Sequence, residues 1–153
     1  MSTSESIRNA TILGAGTMGH GIAQVCAAAG IKTCLFDIRQ PLVDEGLAKI
    51  TKNLDKGIAR GKVSAESKAE VLANLSGSSD FAKAVAGADI VIEAVPENLD
   101  LKQRLFADAA AQLAADAILA TNTSSLSIAA IAAAVPGPER VIGTHFFNPV
   151  HIM

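Results

Sequence analysis

Residues 9–24 read NATILGAGTMGHGIAQ. NATIL, residues 9–13, predicts a short strand. Met18, Ile22, Val25, Cys26 and Ala29 then fall on one face of a helix over residues 17–29, which Gly30 closes. Between strand and helix stands Gly14-Ala15-Gly16-Thr17-Met18-Gly19. Glycines at this spacing carry little information alone, and a great deal at a strand-to-helix junction. Gly14 permits the tight turn, Gly16 lets backbone approach a diphosphate, and Gly19 lets the helix lie close to the sheet. The helix N-terminus adds free N–H groups and the positive end of a dipole. All six residues of the turn, Gly14, Ala15, Gly16, Thr17, Met18 and Gly19, are therefore expected against a dinucleotide.

The acidic partner of such a turn is present. KTCLFD, residues 32–37, predicts a second strand that ends in Asp37. A carboxylate there accepts hydrogen bonds from an adenosine ribose and repels a 2′-phosphate, which selects NAD over NADP. Arg39 is the one nearby residue that would suit that phosphate. Further strands are expected at 75–78, 89–95, 117–122 and 140–146, and helices at 41–60, 64–74, 80–87, 98–114 and 127–134. DIVIEAV at 89–95 is a near-continuous apolar run, which predicts a strand buried on both faces. Strands alternating with helices specify an α/β fold with a doubly wound, mostly parallel sheet. The helical pair over 41–74 is longer than one crossover needs, so it is expected to project as a hairpin.

Bulk composition narrows the function. The chain has 153 residues, enough for one domain with a real core. A net charge of −2, with no Trp or Tyr, argues against nucleic acid as a partner. No run approaches the ~20 apolar residues of a membrane helix, and MSTSESIRNA holds no signal segment. Cys26 and Cys34 show no metal-ligand spacing and read as buried free thiols of a reducing, cytoplasmic protein. No metal site is expected.

Ligands of open parallel sheets bind beyond the carboxyl ends of the strands. This chain places there the glycine turn, Asp37, Pro96-Glu97-Asn98, Asn122-Thr123-Ser124-Ser125, and His145 with Asn148-Pro149, while the strand bodies carry almost no polar chemistry. Dehydrogenation of an alcohol suits the set. It needs a base for the hydroxyl proton, for which His is apt, and a donor for the developing oxyanion. From position alone His145 is a base or a structural histidine. Ser124 holds substrate or, like Ser125 and Ser127, caps a helix, and Glu97 is a site residue or a first-turn helix acid. His20 reads as a partly exposed helix residue and His151 as a surface or interdomain one.

GAGTMGHGIAQ, IEAVPENLDLKQRLF, TNTSSLSI and RVIGTHFFNPV together resemble the NAD-binding domain of the 3-hydroxyacyl-CoA dehydrogenases. The resemblance implies one Rossmann-type domain over residues 1–153. It also implies an enzyme that interconverts L-3-hydroxyacyl-CoA and 3-ketoacyl-CoA, as in fatty acid or butanoate metabolism, with acyl-CoA as partner. It makes His145 the catalytic base and Ser124 the residue that holds the substrate oxygen near the nicotinamide. Glu97 and Lys102 become contacts near the nicotinamide ribose, and Asn148 a further cofactor contact. Lys49, Lys52, Lys56 and Arg60 form a basic stripe that by pattern alone is a solvated face. The resemblance instead turns the hairpin toward coenzyme A, with Asn53, Lys56 and Arg60 at its phosphate-bearing end.

Family members also carry a glutamate that orients the histidine and a helical C-terminal domain that closes the acyl site and forms the dimer. Neither lies within these residues, so the chain is expected to bind NAD and turn over poorly. Two alternatives remain: a non-catalytic NAD-binding module, and a dehydrogenase of small free 3-hydroxyacids.

Overall fold

The computed structural model of the protein describes residues 7–153. Six strands form the sheet: β1 (Asn9–Leu13), β2 (Lys32–Phe36), β3 (Leu75–Ser78), β4 (Ile90–Glu93), β5 (Ile118–Thr121) and β6 (Val141–Gly143). Their order is β3-β2-β1-β4-β5-β6, and every neighbouring pair is parallel. The chain winds outward from β1 in one direction, then returns and winds outward from β4 in the other. A crevice opens where that reversal occurs, beyond the ends of β1 and β4. The register brings Leu13, Phe36, Glu93, Thr121 and Gly143 into one row across the sheet. The residues that follow them therefore gather along one edge.

Helices cover both faces. On one side lie α1 (Thr17–Ala28), α2 (Gln40–Ala59) and α3 (Ala65–Ala73). Their core holds Ile12, Ile22, Leu35, Ile50 and Leu54. On the other lie α4 (Phe81–Val85), α5 (Leu99–Ala110) and α6 (Ile128–Ala132), around Leu13, Val91, Phe106, Leu119 and Ile131. Each fully buried aliphatic side chain contributes roughly 1.5–3 kcal/mol relative to exposure. Four helices begin at side-chain caps: Ser64 accepts from the Ser67 N–H, Asp80 from Lys83, Asn98 from Leu101 and Ser127 from Ala130. α1 starts instead at Gly16, with no side-chain cap and no acid in its first turn. Its leading N–H groups are left to a ligand.

Several expectations need correction. The last strand stops at Gly143, so His145 lies beyond a strand, not at its tip. Only one more sheet-like bond forms there, from Thr144 N–H to the Thr121 carbonyl at 2.9 Å. α5 ends at Ala110, although no Gly or Pro stops its alanine-rich tail. α1 buries Gly19, Gly21, Ile22, Ala23, Gln24 and Ala27, leaving Ala29 exposed and Val25 and Cys26 half-buried, because small residues face the sheet. Cys34 is likewise half-buried, and burial pushes the Cys26 thiol up to about 11. The helical pair α2–α3 is less detached than expected. Val43, Gly46, Ile50 and Leu54 seat α2, Val71 seats α3, and the end of the pair, from Asp55 to Glu70, carries no buried residue.

Candidate active site

Each glycine of the turn has its own geometric reason. Gly14 has φ +101°, and a Cβ on it would stand 2.7 Å from the Ala94 carbonyl oxygen. A Cβ on Gly19 would lie 1.6 Å from the Gly14 carbonyl oxygen, so the turn closes only with glycine there. A Cβ on Gly16 would meet nothing within 4 Å. That open space lies above the uncapped start of α1, where a diphosphate fits. A cavity of about 670 Å³ extends from this point, lined by the turn from Gly14 to Met18, by Asp37, and by Ala94, Val95 and Pro96. Asp37 Oδ2 accepts from the Ala15 N–H at 2.9 Å and Oδ1 from the Ile38 N–H at 2.8 Å. Each oxygen keeps a lone pair for a ribose hydroxyl. The residues present therefore fit NAD. Glu45 and Lys49 of α2, paired at 2.9 Å, complete the far wall.

A second cavity, about 390 Å³, adjoins the first and shares Met18, Ala94, Val95 and Pro96 with it. Glu97, Asn122, Ser124, His145, Phe146, Phe147 and Asn148 line the rest. The segment after β6 is held here by Asn122, whose Oδ1 accepts from the Phe146 N–H at 2.9 Å. The following Asn148–Pro149 bond is cis. The exposed His145 ring stacks on Phe147 with centroids 4.6 Å apart and planes at 28°. Its ring nitrogens have no hydrogen-bond partner among the described residues.

Ser124 is singled out by its neighbours. Thr123 Oγ1 and Ser125 Oγ both donate to Glu97 Oε2, at 2.7 and 2.8 Å. Ser127 caps α6. Of the hydroxyls in TNTSSLS, Ser124's alone lines the His145 cavity, and it caps no helix among the described residues. Glu97 also meets Lys102 Nζ at 2.7 Å. Desolvation alone would raise its pKa. Hydrogen bonds from Lys102, Thr123 and Ser125, with the Lys102 charge, outweigh that and lower it to about 2.

Lys102 is not itself on the cavity surface. Its side chain is fully buried, with the ammonium between Glu97 and Glu93, the latter at 2.9 Å. It reaches the site through Glu97 instead of offering a surface to a cofactor. Glu93 is the residue that the sequence reading missed, and it corrects the expectation that strand bodies lack polar chemistry. It is fully buried at the end of β4. A signal existed: an acid inside the apolar run IVIEAV, residues 90–95, demands a partner, and Lys102 lies just beyond on the next helix. Asn53, Lys56 and Arg60 lie apart from both cavities. Asn53 donates to Gln24 Oε1 at 3.2 Å, while Lys56 and Arg60 are exposed. His20 bonds the Gly16 carbonyl through Nδ1 at 2.7 Å. His151 is half-buried against α1 and α3, its pKa lowered by desolvation and then by the nearby His20 and Lys56.

The family profile described as "3-hydroxyacyl-CoA dehydrogenase, NAD binding domain" matches residues 9–153. The chain belongs to this family. It is 42% identical over 148 residues to a 3-hydroxyadipyl-CoA dehydrogenase of Escherichia coli K12, covering 97% of this chain and 31% of the relative. It is 42% identical over 142 residues to a 3-hydroxybutyryl-CoA dehydrogenase of Clostridioides difficile, covering 93% and 50%. The crystal structure of (S)-3-hydroxybutyryl-CoA dehydrogenase PaaH1 from Ralstonia eutropha superposes with a TM-score of 0.92 at 42% identity, covering 97% of this chain and 52% of that one. The chain thus spans half or less of the curated relatives it matches, and it corresponds to their Rossmann-type NAD-binding domain. Among the described residues, no helix is long and apolar enough to cross a membrane.

Proposed function

We propose that this chain is the cofactor-binding and proton-transferring half of an NAD-dependent L-3-hydroxyacyl-CoA dehydrogenase. One observation supports the reading above the others: the cavity holding His145, Ser124, Glu97 and Asn148 adjoins the groove at the glycine turn and Asp37 and shares Met18, Ala94, Val95 and Pro96 with it. A dinucleotide anchored at the turn has its far end directed to the histidine.

Bound NAD supplies a hydride acceptor for the carbinol carbon of the substrate. His145, in its neutral form, removes the hydroxyl proton as the C–H bond breaks, and returns it in the reverse direction. The Ser124 hydroxyl donates to the same oxygen and stabilises charge that develops there. Glu97 and Asn148 line the cofactor side. Stacking on Phe147 fixes a face of the imidazole and leaves its edge free for the substrate. Lys56 and Arg60, as cations on an exposed helix end, suit the phosphate-bearing end of coenzyme A, with Asn53 as a neutral hydrogen-bonding neighbour. The added length of the relatives supports a second domain that walls the acyl group, excludes water and forms a homodimer. The two unpaired cysteines suit a cytoplasmic setting.

The test uses the longer protein with both domains. Exchanging His145→Gln should lower kcat by roughly 10²–10⁴-fold with NAD affinity unchanged. A rate near that of the unsubstituted enzyme would remove His145 from the chemistry. Higher kcat/KM for a free 3-hydroxyacid than for its CoA thioester would overturn the substrate class.

A further inference from the structure

Glu93 and Lys102 are ions with no exposed side-chain surface. Such a pair gains little over a well-packed apolar pair, so stability alone does not account for it. Both carboxylate oxygens of Glu93 are nonetheless engaged. Oε1 accepts from Thr121 Oγ1 at 2.7 Å, and Oε2 from the Val95 N–H and Lys102 Nζ, both at 2.9 Å. Lys102 then passes the constraint on to Glu97 Oε1. Glu97 Oε2, in turn, gathers Thr123 and Ser125. One chain of contacts therefore links β4, α5, β5 and the loops that follow β4 and β5. Among the described residues, its only charged side chain lining the His145 cavity is that of Glu97, which is 39% exposed.

We infer that Glu93 is a positioning residue for the nicotinamide-riboside end of NAD. It acts through Lys102, which it holds at the one place where the ammonium fixes the Glu97 carboxylate toward the cavity. The same chain keeps Thr123 and Ser125 turned to Glu97 and so leaves Ser124 facing His145. The inference rests on the reading that the His145 cavity receives that end of the cofactor.

Glu93→Gln tests it. A glutamine amide presents one acceptor and one donor edge. Its NH₂ must face either Thr121 Oγ1 or the Val95 N–H and the Lys102 ammonium together, and either way Lys102 loses the negative charge that seats it. ADP provides the comparison, because it carries the adenosine and diphosphate held by Asp37 and the glycine turn but lacks the distal ribose and nicotinamide. In calorimetric titration of the chain, Glu93→Gln should weaken NAD binding by about tenfold, the scale of one lost charge-assisted hydrogen bond, and leave ADP affinity within about twofold. Equal loss of NAD and ADP affinity, or no loss of either, overturns the inference. The unsubstituted chain supplies a separate control. If it binds NAD no tighter than ADP, the placement of the nicotinamide end in the His145 cavity falls too. If it prefers NAD and the variant keeps that preference, only the role of Glu93 falls. Should Glu93→Gln fail to fold, Glu93→Gln with Lys102→Met removes both ions together. That pair should unfold near the unsubstituted temperature and show the same selective loss of NAD; full NAD affinity in it overturns the inference.

Discussion

At its glycine turn the larger cavity is walled by backbone. Its shape follows from Gly14, Gly16 and Gly19, the bare N-terminus of α1, and one carboxylate that is itself held by a backbone N–H. The smaller cavity is walled by side chains from four places in the sequence. Lys102, Thr123 and Ser125 converge on Glu97, Glu93 and Thr121 stand behind Lys102, and Asn122 tethers the segment that carries His145. A backbone cradle is rigid and generic: it suits a diphosphate, which every dinucleotide carries. A side-chain network can fix the orientation of a single hydroxyl, as a reacting centre requires. The boundary runs through Met18, Ala94, Val95 and Pro96, common to both.

That contrast can be broken from either side. The largest effect is expected at Lys102→Met, which leaves Glu93 buried without its counter-ion. It should cost about 3–5 kcal/mol in chemical unfolding, and adding Glu93→Gln should recover much of that. Gly19→Ala attacks the other cavity with one methyl group. With its Cβ 1.6 Å from the Gly14 carbonyl oxygen, the turn must open. The expected outcome is a loss of about 3 kcal/mol in stability, together with lost ADP and NAD binding. Asp37→Ala should leave unfolding nearly unchanged and weaken NAD about tenfold by calorimetry, while narrowing its advantage over NADP.

The smallest effect lies in acid. Glu97 titrates at about 2 in the folded protein against an ordinary 4.5. The unfolded chain thus takes up this proton first as pH falls. The stability contributed by the group is complete above about 4.5 and is lost as pH falls toward about 2. In Glu97→Gln the fall in unfolding free energy across that window should be shallower. An unchanged slope would detach Glu97 from Lys102, Thr123 and Ser125.

The same division governs what could be read from the sequence. The glycine turn, Asp37 and the strand–helix alternation are local patterns, and all of them are present in the fold. His145, Ser124, Glu97 and Asn148 could be nominated singly, and through the family's motifs. That they line one cavity depends on the registers β4–β5 and β5–β6, which no local window contains. Glu93 was hidden for a different reason. Apolar periodicity marks where a strand is buried and says nothing of a charge inside it until the partner helix is in place. Lys102 was assigned to the cofactor because its helix was placed correctly while its depth was not. The end of β6 was overextended because the β-prone residues of RVIGTHF continue past the point where Asn122, a side chain, takes over from the sheet.

Gly21 lies in α1, and a Cβ added to it would stand 2.9 Å from Cβ of Val150. Val150 is buried there, two residues after Asn148. The helix therefore serves as a gauge block between the two cavities. Its first turn sets the height of the phosphates, and a missing methyl group a turn further on sets how closely the far rim is drawn in. A substitution at Gly21 would touch neither cofactor nor substrate, yet would change the distance between the places where each is held.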